Sequence, residues 1–236
     1  MAEKWEELNV DGQTAKAFTA SPDGNGPFPA VVVIQHAGGV DQFIQETATS
    51  LAAEGYFTIA PDLFHRQDPN AGASNMEKVG QLKDHEVNAD VNAAVAFLKA
   101  NPRASDQIGI IGFCMGGRVV YMAAGLNDAL KAAVSFYGAA TKNVWGPEPG
   151  QTPIDGLANA VCPLLGFFGE DDQNPSPQDM KDLDEQLTKN GKAHEFHSYP
   201  GAAHAYMNYL NPQAYREDAA KASWPITLNF LKAHLS

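Results

Sequence analysis

The segment Gly112-Phe113-Cys114-Met115-Gly116-Gly117 places a nucleophile at the centre of a G-x-Nuc-x-G pattern. The apolar run Ile108-Gly109-Ile110-Ile111 precedes it and a helical stretch follows, the strand–turn–helix setting of a nucleophile elbow. Glycine at 112 and 116 suits a turn so tight that side chains there would collide with neighbouring backbone. A thiol at the first turn of a helix meets backbone N–H groups and a dipole that favour negative charge. The blander reading is a structural cysteine beside a glycine-rich turn. That reading fits the second cysteine, Cys162, which precedes Pro163 at a strand start and is expected to be a small buried hydrophobe.

A cysteine nucleophile needs a histidine base, and the histidine needs a carboxylate to orient it. In the order nucleophile, acid, histidine, the strand Pro163 to Phe168 runs into Gly169-Glu170-Asp171-Asp172. The Gly-x-x-Asp spacing selects Asp172, with Asp171 as its competitor, since a slip of one residue exchanges them. Tyr199-Pro200-Gly201-Ala202-Ala203-His204 follows the last expected strand, which puts His204 at the matching end of the sheet. His194 and His197 fall inside that strand, where solvent-facing polar positions explain them, while His85 lies on a helix, His65 in a loop and His234 at the C-terminus. Gln35-His36-Ala37-Gly38-Gly39 follows the first buried strand, a loop that supplies an oxyanion-hole N–H in elbow enzymes. The backbone donors are expected to be Ala37 and Met115. His36 either touches Cys114 or fixes the loop.

The elements that must carry these residues are legible in outline. Trp5 to Val10 and Thr14 to Ala20 flank Asp11-Gly12, a hairpin signal. Ala30 to Ile34 is a continuous apolar run, as in a strand buried on both faces. Strands are expected again at Tyr56 to Ala60, Gln107 to Gly112, Ala132 to Tyr137, Pro163 to Phe168 and His194 to Tyr199. Helices are expected over Asp41 to Glu54, Met76 to Ala100, Met115 to Ala124, from Ser176-Pro177, and over Ala214 to His234. Gly138 to Ala160, rich in Gly and Pro, reads as a long loop. Alternating strands and helices after a leading hairpin imply an α/β fold. Its mostly parallel central sheet carries helices on both faces, in a single domain over 1–236.

Composition narrows the function. With 16 basic and 28 acidic residues the formal charge is −12, which repels phosphate backbones and anionic lipid and argues against nucleic acid or membrane as partners. No apolar run is long enough to span a bilayer, and Met1 to Val10 is charged with no signal-peptide core. Two cysteines cannot build a disulfide framework, which suits a reducing, cytoplasmic setting. CxxC and HExxH patterns are absent, so no metal is expected. Nothing chooses between a monomer and a homodimer.

These residues resemble the dienelactone hydrolase family (carboxymethylenebutenolidases), from about Val31 to the C-terminus. The resemblance includes Ala60-Pro61-Asp62-Leu63-Phe64, the Cys114 elbow, the Gly169 to Asp172 turn and the His204 loop. Cysteine in place of serine at the elbow is its specific part. It implies an α/β-hydrolase fold and hydrolysis of a small ester or lactone through a thiol acyl-enzyme, without a cofactor. Phe64, Arg66, Tyr137 and Tyr206 are expected to contact substrate, together with His36. Well-studied members carry a glutamate where this chain has His36, and a substrate-binding arginine four residues past the histidine, where it has Asn208. The second difference counts against an anionic dienelactone as substrate. A thioesterase, an acyl transferase or a redox-sensing binding protein could use the same residues.

Overall fold

The structure is a computed structural model that describes residues 1–236. Asp11 and Gly12 take φ of +51° and +80°, the left-handed pair that a two-residue hairpin turn requires. They join β1 (Ala2–Val10) to β2 (Gln13–Ser21) in register Val10↔Gln13. There follow β3 (Phe28–Ile34), α1 (Gln42–Ala53), β4 (Phe57–Pro61), α2 (Asn75–Gly80), α3 (Asp84–Ala100) and β5 (Ala104–Phe113). The chain continues through α4 (Met115–Leu126), β6 (Leu130–Phe136), α5 (Pro153–Gly156), β7 (Leu164–Gly169), α6 (Pro177–Lys189), β8 (His194–Tyr199) and α7 (Glu217–Leu235). One eight-stranded sheet has the order β1-β2-β4-β3-β5-β6-β7-β8, parallel from β4 to β8, with β2 antiparallel to β4.

The apolar run in β3 has no polar alternation because each face of the sheet carries its own core. Ala30, Val32 and Ile34 join Val91, Val119 and Leu183 of α3, α4 and α6. Val31 and Val33 join Ile44, Leu51 and Leu231 of α1 and α7 on the other face. Phe113, Phe136 and Phe167 stack across β5, β6 and β7 with centroids 4.9 and 4.6 Å apart, which ties together the strand ends that carry the chemistry.

Three expected boundaries shift. The helix expected over Met76 to Ala100 is two helices. α2 ends at Gly80, Lys83 is extended (φ −126°, ψ 136°), and α3 begins at Asp84. Tertiary bonds override the periodicity there: the Asp84 carboxylate is held by Arg118 at 2.6 Å and accepts the Trp145 N–H at 2.9 Å. The closing helix starts at Glu217 rather than Ala214, because the Tyr215 and Arg216 amides donate back to Asn211 and Tyr206. The long loop after β6 contains α5 and a short 3₁₀ turn, Leu157–Asn159.

Candidate active site

Cys114 stands between the last residue of β5 and the first of α4, at φ +58° and ψ −120°. A non-glycine residue in that conformation costs about 1–3 kcal/mol. Its surroundings leave the chain no alternative. A Cβ at Gly112 would lie 2.2 Å from the Gly116 carbonyl oxygen, one at Gly116 2.5 Å from the Gln35 oxygen, and one at Gly117 2.7 Å from the Phe136 oxygen. The elbow is thus pressed against the ends of β3 and β6, and the Cys114 amide donates to the Phe136 oxygen at 3.0 Å. Tyr137 (φ +42°), just past the end of β6, and Ala205 (φ +62°), next to His204, are strained in the same sense. The strain gathers around one point.

Asp172 and His204 arrive from β7 and β8. Gly169 permits their approach: a Cβ there would meet the Ala202 oxygen at 2.3 Å. His204 Nδ1 lies 2.9 Å from Asp172 Oδ2, and Asp172 Oδ1 accepts the Asn174 N–H at 2.8 Å. Asp172 is buried, whereas Asp171 is exposed, its amide spent on the Ala202 oxygen at 2.9 Å. The structure therefore pairs His204 with Asp172 rather than its competitor. Burial alone would lower the His204 imidazole. Hydrogen bonds to Asp172 and to Cys114, reinforced by their charges, outweigh it and push the ring up to about 10. His204 is then protonated at neutral pH, with Asp172 on one side and the Cys114 sulfur on the other.

The loop after β3, where one oxyanion donor is expected, abuts the elbow at Gly116. The Ala37 amide donates to no acceptor in the protein, and Met115 is the first residue of α4, whose N–H has no intrahelical partner. His36 is tied into its own loop. Its Nε2 sits 2.8 Å from Asp41 Oδ2, and its Nδ1 accepts the Gly38 N–H at 3.3 Å. Its ring meets Phe43 edge-on at 5.8 Å. Of the two roles expected for His36, the structure gives it the fixing of the loop.

The other expected contacts divide. Phe64 is half-buried, borders Gly39 and lines a cavity of about 440 Å³ with Gly38, Val40 and Lys78. Tyr137 and Tyr206 are fully buried; they form the floor under His204, with Tyr137 5.1 Å from its ring and 5.3 Å from Tyr206, and neither offers a surface to a substrate. Arg66 is also corrected. Its Nη1 reaches both oxygens of Asp90, at 2.9 and 2.8 Å, so it neutralises a buried carboxylate instead of awaiting a ligand. Asn208 caps a turn, its Oδ1 accepting the Leu210 N–H at 3.0 Å.

Several supporting charges escaped the sequence reading. Asp90 sits on the buried side of α3 with Val87, Val91 and Ala94, where burial raises it and bonds from Arg66 and His65 offset only part of the effect. Arg118, wholly buried one turn past Cys114, pairs with Asp84 and lies 3.8 Å over the Trp145 ring. A charge on the apolar stripe of each helix was the available signal. Asp41 caps α1 through Oδ1, accepting the Ile44 N–H at 3.2 Å, and its place at the helix start foretold that bond but not the one to His36.

Comparison with known proteins gives one consistent result. The profile of the dienelactone hydrolase family matches residues 15–235. A protein of Methylorubrum extorquens assigned as a carboxymethylenebutenolidase is 35% identical over 214 residues, 88% of this chain and 73% of its own. A protein of Bradyrhizobium assigned as a 2-oxo-3-(5-oxofuran-2-ylidene)propanoate lactonase is 30% identical over all of this chain and 96% of its own. A crystal structure from Klebsiella pneumoniae, described as a dienelactone hydrolase, superposes with a TM-score of 0.88 at 30% identity, covering 98% of this chain and 99% of that one.

Proposed function

Because the chain belongs to the dienelactone hydrolase family, whose members act on ester and lactone bonds, we propose that it hydrolyses small esters or lactones through a thiol acyl-enzyme on Cys114. The observation that carries this reading is His204, bonded through Nδ1 to buried Asp172 at 2.9 Å and raised in basicity by Asp172 and the neighbouring Cys114.

Cys114, paired with protonated His204, attacks the acyl carbon, and the carbonyl electrons move to oxygen. The Ala37 and Met115 amides hold that oxyanion, each donor contributing roughly 3 kcal/mol to the transition state. Collapse breaks the C–O bond, and His204 gives its proton to the departing alkoxide, which stays tethered when the substrate is a lactone. Neutral His204 then takes a proton from water, which attacks the thioester. The second collapse releases the carboxylic acid and expels the Cys114 sulfur beside the protonated His204. Asp172 keeps Nδ1 as the protonated nitrogen throughout. With Asn208 beside the histidine loop and Arg66 bound to Asp90, neutral substrates suit this site better than an anionic dienelactone.

The test is turnover of p-nitrophenyl acetate by wild type and Cys114→Ala, with cis-dienelactone alongside. Turnover that vanishes in the variant and favours the neutral ester supports the reading. Equal rates in the two proteins overturn it.

A further inference from the structure

Ala37 carries the one oxyanion donor that no helix fixes, so something in its own loop must hold it. The contacts of His36 supply that restraint. The ring folds back over the loop so closely that a Cβ at Gly38 would lie 2.5 Å from His36 Cε1. The Gly38 N–H points at Nδ1 (3.3 Å), which must therefore be the unprotonated nitrogen, and Nε2 must carry the proton that Asp41 Oδ2 accepts at 2.8 Å. The loop is also closed on the backbone, where the Gly39 N–H donates to the His36 oxygen at 3.0 Å. Asp41 is itself restrained, because its Oδ1 caps α1 at 3.2 Å.

We propose that His36 and Asp41 are a positioning pair that holds the Ala37 amide in the oxyanion hole, a role that rests on Cys114 being the nucleophile. Asp41 selects the tautomer of His36, and that tautomer accepts the Gly38 N–H and freezes the loop around Ala37. The carboxylate serves two clients with two oxygens. The two donors approach different oxygens, and an amide keeps a carbonyl at only one of those places, so in this geometry it can cap α1 or accept from His36 but not both.

Asp41→Asn tests this, since asparagine caps helices as well as aspartate and the fold should survive. Once Asp41 no longer selects the tautomer, His36 can present Nδ1–H to the Gly38 N–H, two donors face to face, and the loop moves. With p-nitrophenyl acetate, kcat should fall about tenfold while KM stays within about twofold, as expected for a donor that acts in the transition state. Alkylation of Cys114 by iodoacetamide, which develops no oxyanion, should keep its rate. Adding His36→Asn to Asp41→Asn should recover most of kcat, because the introduced side-chain carbonyl takes the place of Nδ1 and has no wrong tautomer.

An unchanged kcat in D41N, a parallel loss of alkylation, or a double variant no better than D41N would each overturn the pair's role while leaving the hydrolase reading intact. Wild-type turnover that is absent, or that survives Cys114→Ala, would remove the hydrolase reading and this inference with it.

Discussion

The Asp172 carboxylate bonds His204 Nδ1 through one oxygen and the Asn174 amide through the other, so neither oxygen is free to turn away from the imidazole. Asp172→Asn should therefore cost roughly a thousandfold or more in kcat, by presenting an amide N–H where Nδ1–H must donate. Asp171→Asn, at an exposed side chain one residue away, should leave kcat within about twofold. Comparable losses in both variants would show that the acid had been assigned to the wrong residue.

The protonated histidine has a thermodynamic signature. His204 binds its proton more tightly in the fold, at about 10 against 6.5 for the free side chain. Its contribution to stability is fully present below about pH 6.5 and is lost as pH rises through about 10. Urea denaturation of wild type and His204→Gln at about pH 6 and about pH 10 isolates this contribution. The advantage of wild type should shrink across that interval; a constant advantage would contradict the raised value.

Glycines that look alike in sequence should respond in opposite ways. Gly116→Ala drives a Cβ to 2.5 and 2.6 Å from two backbone oxygens of the β3 end, at Gln35 and Ile34, neither of which can swing aside. We expect a loss of about 2–3 kcal/mol or more, with activity abolished. At Gly80 an added methyl meets nothing within 4 Å, so Gly80→Ala should be neutral or gain about 0.5–1 kcal/mol. Thermal midpoints of the two variants decide the matter.

Arg66 should report on the fold rather than on the substrate. Removing it leaves Asp90, whose side chain is only 1% exposed, with His65 as its one remaining partner. Arg66→Ala is expected to destabilise the protein by about 3 kcal/mol and to leave KM for a neutral ester unchanged. A raised KM at unchanged stability would return Arg66 to the substrate.

How far the sequence foretold this molecule depends on the range of the interaction. The Asp11-Gly12 turn and the β3 run follow from local conformational preference and from burial on two faces, so both were readable. The Cys114 elbow was readable because its glycines answer to steric limits within a few residues. The break between α2 and α3 was hidden, because Asp84 is drawn to Arg118, 34 residues away. Tyr206 was misplaced for a related reason: its neighbour His204 is half-exposed, but turn geometry sends the next but one side chain into the core beside Tyr199. Arg66 carried no sign of Asp90, since helix periodicity marks a buried face without saying which loop charge will meet it.

His204 follows β8, an edge strand that pairs with β7 alone, while Cys114 rises from β5 between two neighbours. An edge strand can detach in local openings that leave the centre of a sheet intact. Base and nucleophile would then part company while most of the secondary structure persisted. Catalysis should therefore fade at a lower temperature than circular dichroism does and return on cooling, so that the enzyme idles under mild heat stress before it is lost.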